Sequence, residues 1–193
     1  MRIGSGKFRG KIIAAPKNLP VRPTTDMAKE ALFSILGNTF FFESVRFLDL
    51  FSGTGNLSYE IASRGCEDIT AVDSFRECTK FIQKTSVAMG FQGFTVFTSD
   101  AIKYLDRFGS SWDLIVADPP YDYKEYGNLI EKVLDGRLKE NGIFALEHSA
   151  FNTFEDHPHC FDTRHYGSAH FSFFGDVPTQ ETQETNSGLA SDD

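Results

Sequence analysis

The sequence has 193 residues, of which 40% are hydrophobic, and a formal net charge of −8. That length supports one domain with a sizeable core, and the net acidity argues against polyanion binding by the surface as a whole, because nucleic-acid affinity comes from Lys and Arg releasing counterions. No apolar run approaches the roughly 18 residues needed to span a bilayer, and "MRIGSGKFRG" lacks the apolar centre of a secretory signal, so a cytosolic protein with no membrane partner is expected.

The charge is unevenly spread. Arg2, Lys7, Arg9, Lys11, Lys17 and Arg22 precede the first acid, Asp26. With Gly4, Gly6, Gly10, Pro16 and Pro20 as punctuation, residues 1–23 read as an extended basic arm or hairpin outside the core. "RPTTDMAKEALFSILG" then predicts a helix: Thr24 and Thr25 offer capping oxygens, Ala28, Leu32, Ile35 and Leu36 form a stripe, and Gly37 stops it. Next comes a repeated strand-then-helix pattern. "VRFLDLF", "DITAVD", "FTVFTSD" and "WDLIVADPP" each precede an amphipathic segment, the last with Tyr126, Leu129, Ile130, Val133 and Leu134 on one face, and "GIFALEH" reads as a fifth strand. This alternation predicts an α/β fold with a mostly parallel sheet and right-handed crossovers. "FDTRHYG" and "SAHFSFF" predict a closing antiparallel hairpin, for seven strands in all. Residues 1–175 are expected to be one domain, and 176–193, with five acids and no base, a disordered tail. Cys66, Cys78 and Cys160 form no CxxC and no zinc spacing, so reduced, inert thiols and no metal are expected.

Ligands of open parallel sheets bind beyond the carboxyl ends of the strands. Asp49 precedes Gly53-Thr54-Gly55, a turn that lets a ligand approach the backbone. Asp73, about twenty residues on, is placed to accept the hydroxyls of a ribose. Ser58 stands where the third glycine of a dinucleotide fingerprint would be, which suits S-adenosylmethionine, with its ribose and adenine but no pyrophosphate, better than a nicotinamide cofactor. Asp100 is a candidate for the adenine amino group and equally for the cap of the helix starting at Ala101. In "VADPPY" two prolines end the strand. A nucleobase amine is a poor nucleophile because its lone pair is delocalised into the ring. Hydrogen bonds from its N–H groups to the Asp118 carboxylate and the Pro119 carbonyl would turn that lone pair towards an electrophilic methyl. Pro120 stiffens the corner, and Tyr121 can stack on the extruded base.

Taken together, "RIGSGKFRGKII", "RPTTDMAKEALFSIL", "LDLFSGTGNLSYEIASRG" and "DLIVADPPY" resemble, in order, the bacterial small-subunit ribosomal RNA (guanine-N2)-methyltransferases of the RsmD type, over about residues 2 to 174. The resemblance implies a class I, Rossmann-like methyltransferase fold and S-adenosylmethionine as methyl donor. It further implies one guanine N2 of 16S rRNA as target, in an assembling small subunit, and a monomeric enzyme without metal. Carried over, it puts the methionine end of the donor at Asp49, Phe51, Gly53 and Gly55, ribose at Asp73, and adenine near Asp100 and Ala101. Thr24 and Thr25 would border cofactor and substrate, with RNA on Lys7, Arg9, Lys11 and Arg22. Three departures stand out: Asn56-Leu57-Ser58 where the family usually has Ala-Leu-Gly, Asp73 where Glu is common, and Thr85-Ser86 around a usual Asn. The competing functions are adenine-N6 methylation of DNA or RNA, a nicotinamide-dependent oxidoreductase, and a non-catalytic RNA-binding assembly factor.

Overall fold

A computed structural model describes residues 1–16, 19 and 24–176. Lys17, Arg22 and the acidic segment from residue 177 onward lie outside the described residues, and with them the expectations for Arg22 as an RNA contact and for the tail.

The short apolar runs form one seven-stranded sheet in the order β3-β2-β1-β4-β5-β7-β6. Strands β1 (Arg46–Leu50), β2 (Asp68–Asp73), β3 (Phe94–Thr98), β4 (Trp112–Ala117) and β5 (Leu138–His148) are parallel. Strands β6 (Cys160–Tyr166) and β7 (Ala169–Phe174) form the expected antiparallel hairpin, in which β7 also pairs antiparallel with β5. The helices are α1 (Asp26–Leu36), α2 (Asn56–Ser63), α3 (Arg76–Met89), α4 (Ala101–Arg107) and α5 (Tyr126–Leu134).

Successive side chains of a strand point to opposite faces, so β1 and β4, which bury apolar residues on both faces, must be covered twice. Phe47, Leu114, Val116 and Ala145 pack under Leu32, Phe33 and Leu36 of α1 and Leu57 and Ile61 of α2. Leu48, Leu50, Ile115, Phe144 and Leu146 pack under Tyr104 and Leu105 of α4 and Leu129, Ile130 and Val133 of α5. Each large side chain so buried contributes about 1.5–3 kcal/mol relative to exposure. The order of strands reverses beside β1, between its neighbours β2 and β4, which opens a crevice at their carboxyl ends.

Two expectations need correction. The fifth strand is longer than "GIFALEH", starting at Leu138, because the pairing with β4 shifts register between Trp112 and Leu114 and the polar "KEN" stretch is carried in that irregularity. The amino-terminal arm is not outside the core. Arg2 and Ile12 form an antiparallel bridge, and Ile3 and Ile13 are buried with Tyr59, Ala71 and Ile82. Ile3 and Ile13 seat the segment on α2 and α3, while Arg2, Lys7, Arg9 and Lys11 face water.

Candidate active site at the carboxyl edge of the sheet

The turn after β1 is shaped by backbone conformations that few side chains allow. Phe51 has φ 61°, Gly53 52° and Gly55 83°. At Gly55 a Cβ would lie 2.8 Å from Cζ of Tyr59 and 3.0 Å from Cγ1 of Ile82, so only glycine serves there. Beyond this turn lies a cavity of about 320 Å³. The structure brings together around it Thr24, Thr25, Asp49, Phe51, Gly53 and Asp73, together with the corner from Asp118 to Tyr121. Gly55, Ala101 and Asp100 lie outside its lining. Asp100 is exposed and caps α4, accepting from the Lys103 N–H at 3.1 Å.

Three carboxylates converge there from adjacent strands. Asp118 follows the end of β4, and one of its oxygens, Oδ2, accepts from the Thr24 hydroxyl at 2.8 Å. Burial pushes its pKa up to about 6, opposed by the Thr24 hydrogen bond. Asp49, in β1, accepts from the Ser58 hydroxyl at 2.5 Å. Burial pushes it up to about 7, the Ser58 hydrogen bond opposes this, and the charges of Asp118 and Asp73 add to the rise. Asp73 ends β2 and takes the Gly53 N–H at 2.7 Å on one oxygen and the Phe75 N–H at 2.8 Å on the other. Burial raises its pKa as well. Each oxygen has a second lone pair, so the anchored carboxylate can still accept from two hydroxyls.

Sequence reasoning missed part of this site. Glu147, near the end of β5, is a fourth acid on the wall, and Ser168 and Ala169 bring the hairpin tip to the rim. The alternation of "FALEH" held the signal for Glu147, since residues 145 and 147 share a face, but a strand-end acid invites a solvent assignment. Asn56, one of the departures, also lines the cavity. Its Nδ2 donates to the Thr24 carbonyl and its Oδ1 accepts from Lys29 Nζ, both at 3.0 Å. Lys29 is fully buried on α1; it pairs with Glu60 at 3.3 Å and donates to the Arg2 carbonyl. Glu60 in turn accepts from the Gly4 N–H at 2.8 Å. A polar chain thus runs from the arm to Thr24, the residue that holds Asp118.

The arm's cations are placed differently. Lys7, Arg9 and Lys11 are exposed, but none lines the cavity. The Lys7 N–H donates to the carbonyl of Ser63 at 2.7 Å, at the far end of α2 from the glycine turn. At 1.5 Å per helical residue this is about 10 Å along the axis.

The wall residues suit one class of cofactor. Among the described residues, four carboxylates and no Lys or Arg line the cavity. A donor with a sulfonium and an ammonium group fits such a wall, whereas a pyrophosphate would face uncompensated negative charge.

Fold and strand-end arrangement together are those of a class I methyltransferase. Over 81% of the chain the fold matches a Thermus thermophilus 16S rRNA N2-guanine methyltransferase, RsmC, solved with AdoMet and guanosine (TM-score 0.66, 21% identity, 44% of that chain). It also matches the Escherichia coli protein yhhF, provisionally named a methyltransferase (TM-score 0.77, 24% identity, 90% of this chain and 96% of that one). Residues 1–175 match the family described as conserved hypothetical protein 95, and the chain belongs to that family. Among its relatives is YlbH of Bacillus subtilis, provisionally named an rRNA methyltransferase, 31% identical over 77% of this chain and 82% of YlbH. Ribosomal RNA small subunit methyltransferase D of Escherichia coli is 29% identical over 76% of this chain and 71% of its own length.

Proposed function

We propose that residues 1–175 act as one domain that transfers the methyl group of S-adenosylmethionine to the exocyclic N2 of a guanine in 16S rRNA during small-subunit assembly. The observation that carries the reading is the half-buried Asp118, held by Thr24 at the mouth of a cavity whose described lining has four carboxylates and no Lys or Arg. The names of the family relatives, an rRNA methyltransferase and a small-subunit rRNA methyltransferase, support RNA as the substrate.

The bound donor supplies an electrophilic methyl on a sulfonium. Asp73, anchored by two backbone N–H groups, orients the ribose, and the turn from Phe51 to Gly53 lets the methionine end approach the backbone. Asp118 and the Pro119 carbonyl accept the two N–H groups of the target amine and so aim its lone pair. As the N–C bond forms, the S–CH₃ bond breaks, its electron pair returns to sulfur, and the amine gives up one proton. Asp118, lifted to about 6, is basic enough to take that proton and pass it to water. Tyr121, half exposed at the rim, stacks on the base. Lys7, Arg9 and Lys11 hold more distant RNA phosphates.

Isotope-labelled S-adenosylmethionine offered with unmethylated 16S rRNA, or with duplex DNA, tests the reading. Label should enter RNA only, and S-adenosylhomocysteine but not NAD should bind the protein. Label in DNA alone, or NAD binding without S-adenosylhomocysteine binding, would overturn it.

A further inference from the structure

The chain has five histidines, and all lie between residues 148 and 170. They occupy the end of β5, the loop after it, and the β6–β7 hairpin. Three are in register across adjacent strands: His148 pairs with His170 between β5 and β7, and His165 with His170 between β6 and β7. Residues opposed across strands project from the same face, so the imidazoles form one row, with ring centroids 6.0 and 5.0 Å apart. A second cavity of about 170 Å³ opens beside the row, with Asn152, Thr163 and Ser172 on its wall. Glu147 and Ala169, the chain neighbours of His148 and His170, line the larger cavity from the opposite face of the sheet, so row and cavity share the sheet edge formed by the end of β5 and the hairpin tip.

The three rings are not equivalent. His148 is 5% exposed, with Nδ1 3.0 Å from the Ser149 carbonyl and Nε2 2.8 Å from the Ser172 hydroxyl. A carbonyl can only accept, so Nδ1 carries the proton and Nε2 accepts from Ser172. Burial lowers its pKa, and the ring stays neutral as a fixed part of the wall. His170 is half-buried and His165 exposed, leaving their ring nitrogens within reach of a ligand. Of the nearby acids, Glu155 lines the second cavity and accepts from the Thr163 hydroxyl at 3.1 Å, which leaves its charge in place, and Asp162 pairs with Arg164 at 3.0 Å. Asp162 and Arg164 alternate with Thr163 and His165 along β6, so they project from the opposite face. On the loop, Phe151 is 98% exposed.

We propose that this histidine row is a second RNA-contact site, which holds a phosphodiester of a nucleotide flanking the target while Phe151 offers a stacking face to its base. The inference rests on the RNA-methylating reading of the adjoining cavity. An imidazole N–H donates to a phosphate oxygen, and when protonated the ring adds a charge-assisted bond. A protonated imidazole holds phosphate more tightly than a neutral one, so the contact strengthens as pH falls. The arm anchors its cations at the far end of α2, whereas the row gives the rim of an acidic cavity its own anion-holding group. A metal site is a poorer match, since among the described residues no three His, Cys, Asp or Glu side chains converge as ligands.

The test uses the full chain and a short fluorescein-labelled single-stranded RNA, with affinity read by anisotropy at about pH 6 and about pH 8. Wild type should bind several-fold more tightly at the lower pH. The His165→Ala/His170→Ala double variant should bind more weakly at both and show a smaller pH difference, the remainder coming from Asp49 and Asp118, with S-adenosylhomocysteine affinity unchanged as the check on folding. A His165→Gln/His170→Gln variant, which keeps a donor but cannot gain the proton, should recover part of the affinity with no more pH dependence than the Ala variant. Equal affinity and equal pH dependence in wild type and double variant would overturn the proposal. Methyl transfer by the same wild-type preparation separates the two claims. Transfer to RNA with unaltered RNA binding by the variants removes only the histidine row, and absence of transfer removes the reading of the cavity itself.

Discussion

Asp118 and Asp100 follow strand ends in the same parallel sheet, yet the structure uses them in opposite ways. Asp118 leaves β4, a central strand flanked by β1 and β5, and is enclosed under Thr24 with its pKa pushed up to about 6 by burial. Asp100 leaves β3, an edge strand, sits exposed, and gives an oxygen to the first turn of α4. An acid after a strand is therefore a position and not yet a role. Its depth in the sheet, and whether a helix begins at the next residue, separate an enclosed carboxylate from an exposed capping one.

The largest effect that sharpens this contrast is expected at Asp118. Asp118→Ala removes the acceptor that shapes the amine, and single-turnover methyl transfer should fall by about 10²–10³. Calorimetry should find S-adenosylhomocysteine affinity within a few-fold of wild type, because other strand ends hold the cofactor. Near-normal transfer would erase the distinction from Asp100. Asp73→Ala should act on binding instead: a contact made equally in ground and transition states raises KM for the donor, by about tenfold, with kcat at saturation little changed. Unchanged KM would make Asp73 a support for the glycine turn only.

A subtler change tests the environment of Asp118. Only the ionised carboxylate accepts from both the target amine and Thr24, so wild-type transfer should decline as pH falls through about 6. The Thr24 hydroxyl lowers that pKa, so Thr24→Val should move the acid limb of the pH–rate profile to higher pH, and Thr24→Ser should restore it. A profile of unchanged shape would show that Thr24 does not tune the reacting group. The smallest effect is expected at Asp100. Loss of its capping oxygen in Asp100→Ala should cost about 1 kcal/mol of stability, read as a lower Tm, with donor affinity nearly unchanged. A drop in affinity larger than that in stability would return Asp100 to the cofactor.

Much of this contrast was legible in the sequence, and the remainder was not for identifiable reasons. The apolar runs of β1, β2 and β4 and the stripe of α1 announced their elements because burial imposes the period directly. Positions needing glycine, such as Gly55, announced themselves through the backbone. What stayed hidden depends on partners distant in the chain. Lys29 reads as a solvated helix residue until α2 delivers Glu60 and Asn56, and the arm reads as a free basic segment until Ile3 and Ile13 find the surface of Tyr59 and Ile82. The histidine row is a matter of register, since spacings of 5 and 22 residues along the chain become adjacent strands only once β5, β7 and β6 are paired.

Nucleoside mass spectrometry tests the central claim most directly. Unmethylated 16S rRNA would be incubated with the protein and isotope-labelled S-adenosylmethionine, then digested and analysed for labelled nucleosides. The account predicts label in N2-methylguanosine, absent when Asp118→Ala replaces the wild type. Label in N6-methyladenosine, or in no nucleoside at all, would contradict it.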